Sequence, residues 1–139
     1  MSIDIIHPPG WPPARGYSNG MVAQGRLLVV AGQIGWIPSG PQAGHFEAHD
    51  FPGQFDQALA NVLAVVTAAG GVPEHLIRMT IYVTDLPAYR ASGRALGAIW
   101  RRHLGRHYPA MALVGVTGLV EPEALIEIES LAMLPEANP

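Results

Sequence analysis

The chain has 139 residues, a length suited to one hydrophobic core and therefore to a single domain over 1–139. Its composition, 49% apolar and 14% charged, excludes a disordered chain, and the lack of cysteine excludes disulfides, thiolate catalysis and Cys-based metal centres. All eight basic residues are arginine, which removes Schiff-base chemistry on lysine, and a net charge of −3 with a pI near 6.0 gives no general attraction to nucleic acid.

No apolar run approaches the ~18 residues that span a bilayer, and the first ten residues lack the basic start and apolar stretch of a signal peptide. The expected compartment is the cytoplasm, with no membrane partner. So few charges on so small a chain also predict that some apolar surface meets another subunit.

In chain order, His7-Pro8-Pro9-Gly10 and Trp11-Pro12-Pro13 prevent a helix before Tyr17 and predict an extended lead-in. Residues 21–24 and 27–34 are β-prone and joined by Gly25-Arg26, which suits a hairpin; Gly32 and Gly35 suggest a bulge or a close backbone approach. Over 54–69, Phe55, Leu59, Val62, Leu63 and Val66 form the stripe of an amphipathic helix, capped by Asp50 or Gly53 and ended by Gly70-Gly71.

Residues 76–84 alternate, with Ile77, Met79, Ile81 and Val83 on one side and Arg78, Thr80, Tyr82 and Thr84 on the other. Asp85 and Pro87 open a second helix that carries Tyr89, Leu96, Ile99 and Trp100 to a stop at Gly105. Two more strands, 110–116 and 124–133, flank a turn at 118–122. With the extended lead-in counted as a strand, the order β-β-β-α-β-α-β-β predicts an α+β domain: a six-stranded mixed sheet with two helices packed on one face. Tyr82, Leu125, Leu131 and Met133 then fall on the uncovered face, which is too apolar for water and calls for a symmetric oligomer.

Period-two geometry puts Glu127 and Glu129 on one strand face, about 6.5 to 7 Å apart at Cβ, with Arg78 a candidate ion-pair partner for Glu129. His45 and His49, and His103 and His107, have helical spacing but no third ligand, so no metal is expected. Arg101, Arg102 and Arg106 sit where a helix C-terminus favours cations.

Four segments resemble the RidA (YjgF) family of reactive-intermediate deaminases: Gly16-Tyr17-Ser18-Asn19-Gly20; Ala31-Gly32-Gln33-Ile34; Asn61 through Ala68-Ala69-Gly70; and Tyr108-Pro109-Ala110 followed by Ile126-Glu127-Ile128-Glu129. They occur in family order over nearly the whole chain. The resemblance implies a chorismate-mutase-like subunit, a homotrimer with clefts between neighbours, and cofactor-free hydrolysis of enamines and imines to oxo compounds and ammonia. It further implies that Glu127 positions or deprotonates the hydrolytic water and that Tyr17 lines the cleft.

Three positions depart from the family pattern. The arginine that follows the Pro-Ala pair and grips a substrate carboxylate is Met111 here, a serine before the Gly-Gln pair is Ala31, and a helix asparagine aligns with Gly93. The substrate-binding positions implied are Met111, Ala31, Gly32 and Trp36, with Arg102 the arginine offered as a replacement clamp. Two readings stay open: a deaminase of altered substrate specificity acting on a small molecule, or a non-catalytic trimer that binds one. An endoribonuclease is disfavoured by the acidic pI.

Overall fold

The computed structural model describes residues 2–137. Six strands form: β1 (Ile3–Ile6), β2 (Gly20–Ala23), β3 (Arg26–Ile34), β4 (Leu76–Val83), β5 (Ala110–Gly115) and β6 (Ile126–Leu134). Three helices accompany them, α1 (Phe51–Ala68), α2 (Leu86–Ala91) and α3 (Gly93–Leu104), with a 3-10 turn at Pro73–His75.

The α+β class holds, but the single six-stranded sheet does not. The strands divide into a two-stranded sheet, β1-β2, and a four-stranded sheet in the order β3-β6-β4-β5. The reason lies in the lead-in, which supplies a strand of its own: β1 pairs antiparallel with β2, from Ile3 against Ala23 to Ile6 against Gly20. The expected hairpin at Gly25-Arg26 therefore does not form. Instead β3 pairs with the last strand, Arg26 against Leu134, and Gly25 lies so close to the Leu134 carbonyl that a side chain there would collide with it.

The four-stranded sheet is mixed. β6 runs antiparallel to both β3 and β4, and β4 pairs parallel with β5. Parallel neighbours need a long crossover, which α2 and α3 provide. The second predicted helix is broken at Ser92, whose hydroxyl donates to the Ala88 carbonyl at 2.7 Å and whose N–H bonds the Tyr89 carbonyl, closing one helix before the next begins.

The core lies between this sheet and the helices. Leu59, Val62 and Val66 of α1 are fully buried with Met79, Val83, Ile126 and Ile128 of the sheet. Burial of each such side chain contributes roughly 1.5–3 kcal/mol. In β4 the register slips between Leu76 and Arg78, so Leu76 takes the core position and Ile77 is the extra residue, out of line with Met79, Ile81 and Val83. α1 starts at Phe51, with Asp50 as N-cap and a proline in the first turn, which moves the predicted start upstream of Gln54.

Candidate functional site

Two recesses carry most of the residues singled out in the sequence, and they open on opposite faces of the four-stranded sheet. The first surrounds Glu127. β6 alternates strictly, burying Ile126, Ile128 and Ser130 toward the helices and sending Glu127, Glu129, Leu131 and Met133 to the other face. Opposite Glu127, β3 bulges between Val30 and Gln33. Gly32 sits in the bulge, and a Cβ built on it would fall 2.8 Å from the Glu127 carboxyl carbon and closer still to one of its oxygens. The carboxylate thus lies over bare backbone, and a side chain at position 32 would have to displace it. Gln33, Trp36, Val120 and Glu121 complete the recess.

Two buried amides of α1 hold this recess in place. Asn61 donates to the carbonyls of Ile34 at 3.0 Å and Trp36 at 2.9 Å, while Gln57 donates to the Asn61 side-chain oxygen at 2.9 Å. Gln54 donates to the Glu123 carbonyl at 2.9 Å and accepts from the Leu125 N–H at 2.8 Å. One amide fixes the end of β3 and the other the start of β6, so Gly32 and Glu127 are set relative to each other through the helix. Gly35 permits the close approach: a Cβ there would lie 2.7 Å from that of Gln54. Leu125, expected on the open face, is turned by this bond into contact with the core.

The second recess, about 380 Å³, lies on the helix side of β5. Met111 pairs with Met79 and leans on the core, and it shares the recess with Tyr17, Gly93, Trp100 and Tyr108. Tyr17 is carried there by its neighbour: Ser18 N–H bonds the Pro109 carbonyl at 3.1 Å and its hydroxyl donates to the Tyr108 carbonyl at 2.5 Å, next to a β-bridge to Ala110. The segments 16–20 and 108–110, distant in sequence, are one structural unit. Tyr108 stacks on Trp100 with ring centroids 5.7 Å apart, and the Trp100 N–H donates to the His107 carbonyl.

Other expectations fare differently. Ala31 is exposed in the bulge and lines neither recess, and Arg102 is drawn away from both by Asp56, with its guanidinium 2.6 Å from the carboxylate. His103 reaches the same carboxylate at 2.5 Å. Burial alone would raise the Asp56 carboxyl, but the His103 hydrogen bond and the adjacent Arg102 charge outweigh it and hold the group below its ordinary value. Glu129 takes the hydroxyl of Tyr82, at 2.6 Å, in place of Arg78. That hydrogen bond, with some burial and the nearby glutamates, raises the Tyr82 phenol. Among the described residues no cluster of His, Asp and Glu has the makings of a metal site.

Arg15 was missed. It lines the second recess beside Tyr17, and its only sequence signal is its place directly before Gly16.

A family model described as Endoribonuclease L-PSP matches residues 10–134. The chain belongs to the RidA/YjgF family. A Rid-family protein of unknown function from Yersinia pestis, YyfB, shares 33% identity with a TM-score of 0.81, covering 96% of this chain and 100% of that one. The 2-iminobutanoate/2-iminopropanoate deaminase of Escherichia coli is 32% identical over 109 residues, 78% of this chain and 80% of its own. The structure of Escherichia coli TdcF with bound serine shares 32% identity with a TM-score of 0.67, covering 94% of this chain and 98% of that one. The shared segments have a physical sense: Asn61 and Ser18 hold backbone in place around the two recesses, and Gly32 leaves room for the Glu127 carboxylate. No helix among the described residues is long and apolar enough to cross a membrane.

Proposed function

We propose that the protein is a hydrolase that deaminates an enamine or imine metabolite to an oxo compound and ammonia, without metal or cofactor, at clefts between the subunits of a homotrimer. The observation that carries the reading is the Glu127 carboxylate seated over Gly32. A carboxylate on a strand whose start is fixed by one buried amide, facing a bulge whose end is fixed by another, can take a proton from water as the oxygen attacks the imine carbon. The imine nitrogen takes that proton, giving a neutral carbinolamine; transfer of the hydroxyl proton to the amino nitrogen, again through the Glu127 carboxylate, lets the C–N bond break as C=O forms, and ammonia and the oxo compound leave. The relative from Escherichia coli named as a 2-iminobutanoate/2-iminopropanoate deaminase supports the reaction class, and serine bound to TdcF supports a small amino or imino acid as ligand.

The two recesses support clefts between subunits. Glu127 and Met111 lie on opposite faces of one sheet, so one chain cannot close both around one substrate. A neighbour whose Tyr17 and Met111 recess meets the Glu127 recess would do so, and the apolar open face gives the reason to associate. Met111 in place of the clamping arginine points to non-standard specificity. RNA is a poor fit, since Glu127 and Glu129 are the charges of β6 on the open face.

The test is ammonia release from freshly generated 2-aminoacrylate and from bulkier imines. Wild type should accelerate at least one of them, and Glu127→Gln should lose about 10²–10⁴-fold in turnover. Unchanged turnover in the variant would remove Glu127 from the mechanism. Ligand-dependent thermal stabilisation with no turnover of any imine would establish the non-catalytic binding alternative instead.

A further inference from the structure

The second recess holds more than the proposed reaction uses. At about 380 Å³ it falls in the range of pockets that accept whole organic ligands, and an imino acid of three or four carbons would leave most of it empty. Its walls are aromatic: Phe55, Tyr89, Trp100 and Tyr108 surround Met111. The wall given by α3 is cut back by Gly93 and Gly97, one helical turn apart. A Cβ on Gly93 would touch nothing within 4 Å, and one on Gly97 would meet only the Arg101 guanidinium, at 3.4 Å. Packing requires neither glycine, and helix propensity opposes both; what they leave is width.

The residues that line the recess include one cation. Arg15 stands exposed at its edge, and among the described residues no carboxylate lies within ion-pairing reach of it. The bonds from Ser18 to Tyr108 and Pro109, and its bridge to Ala110, anchor the Arg15 segment beside the residue that precedes Met111. The charge missing at position 111 is thus available from a second segment held against the same strand, on a side chain whose fork matches a carboxylate.

We infer that this recess takes a carboxylate bearing an aromatic side chain, with Arg15 gripping the carboxylate and the ring lying between α3 and β5. This rests on the proposed deamination and names its substrate class: the 2-imino acid of an aromatic amino acid. The ring gains contact area with the aromatic walls, and the cleared α3 face admits it.

Calorimetric titration of the full-length chain with 3-phenylpropionate, propionate and 3-phenylpropanol tests this on unreactive probes. Wild type should bind 3-phenylpropionate at least about tenfold more tightly than either of the others. Arg15→Gln, an exposed change that leaves the fold intact, should reduce 3-phenylpropionate to the affinity of the alcohol, Arg15→Lys should restore part of it, and Gly93→Leu should abolish binding of the ring. Equal affinity of wild type and Arg15→Gln, or no preference for the aromatic acid over propionate, overturns the inference. Arg15-dependent binding of 3-phenylpropionate with no ammonia release from any imine upholds the ligand class while overturning the deaminase reading.

Discussion

Gly32 and Glu127 constrain each other through a few ångströms of space. A methyl group at position 32 must displace the carboxylate, because the alternative is overlap with its carboxyl carbon at 2.8 Å. Gly32→Ala should therefore lower turnover by about 10²-fold through misplacement of the proposed base, while thermal melts change little because the bulge is exposed. Steady-state ammonia release beside a melting curve separates the two effects. Loss of stability equal to the loss of activity would mean that the bulge, not the carboxylate, is what Gly32 serves.

α1 does two jobs with one helix: its apolar stripe fills the core, and its polar edge fixes two strand ends. Asn61→Ala would leave the Ile34 and Trp36 carbonyls without their donor, at a cost of about 1–3 kcal/mol visible in urea unfolding. The same change should loosen Gly32 and reduce turnover beyond what the lost stability explains. α1 is also tied to α3 by Asp56, which meets Arg102 and His103. Because the folded-state carboxyl titrates below its ordinary 3.8, its contribution is complete above that value and disappears as pH falls through the lowered one. The melting-temperature gap between wild type and Asp56→Asn should accordingly be present at pH 5 and shrink toward pH 3. With Asp56 39% exposed and Arg102 more so, the gap corresponds to about 0.2–1 kcal/mol.

For the molecule as a whole, the open face of the four-stranded sheet is the main unsatisfied surface. Leu27 is 57% exposed, Val29 68% and Val114 43%, all on this face with Leu131 and Met133. In the proposed trimer, second and third copies would cover them, removing apolar area from water and bringing foreign recesses to the seams. Val29→Glu should leave circular dichroism unchanged, reduce the particle to a protomer by light scattering at low micromolar concentration, and abolish ammonia release along with assembly. An assembled Val29→Glu protein would place the interface elsewhere.

Much of this was written in local pattern. The α1 stripe, the alternation of β4 from Met79 onward and of β6, and the side of the sheet taken by Glu127 follow from spacing alone, because periods of 3.6 and 2 decide which side chains share a face. The family segments were likewise legible as residues, with Met111 visible as a departure. Spacing could not say which strand β2 would join, since a two-residue link suits a hairpin and yet β1 and β6 compete for the same edges. Nor could it assign partners to long side chains. Arg102 went to Asp56, Glu129 went to Tyr82, and Arg15 came to rest beside Met111, each choice made by which segments the fold brings within reach of a side chain. The sequence by itself set the elements and their faces, whereas the pairings between distant segments, and with them the shape of the two recesses, exist only in the tertiary structure.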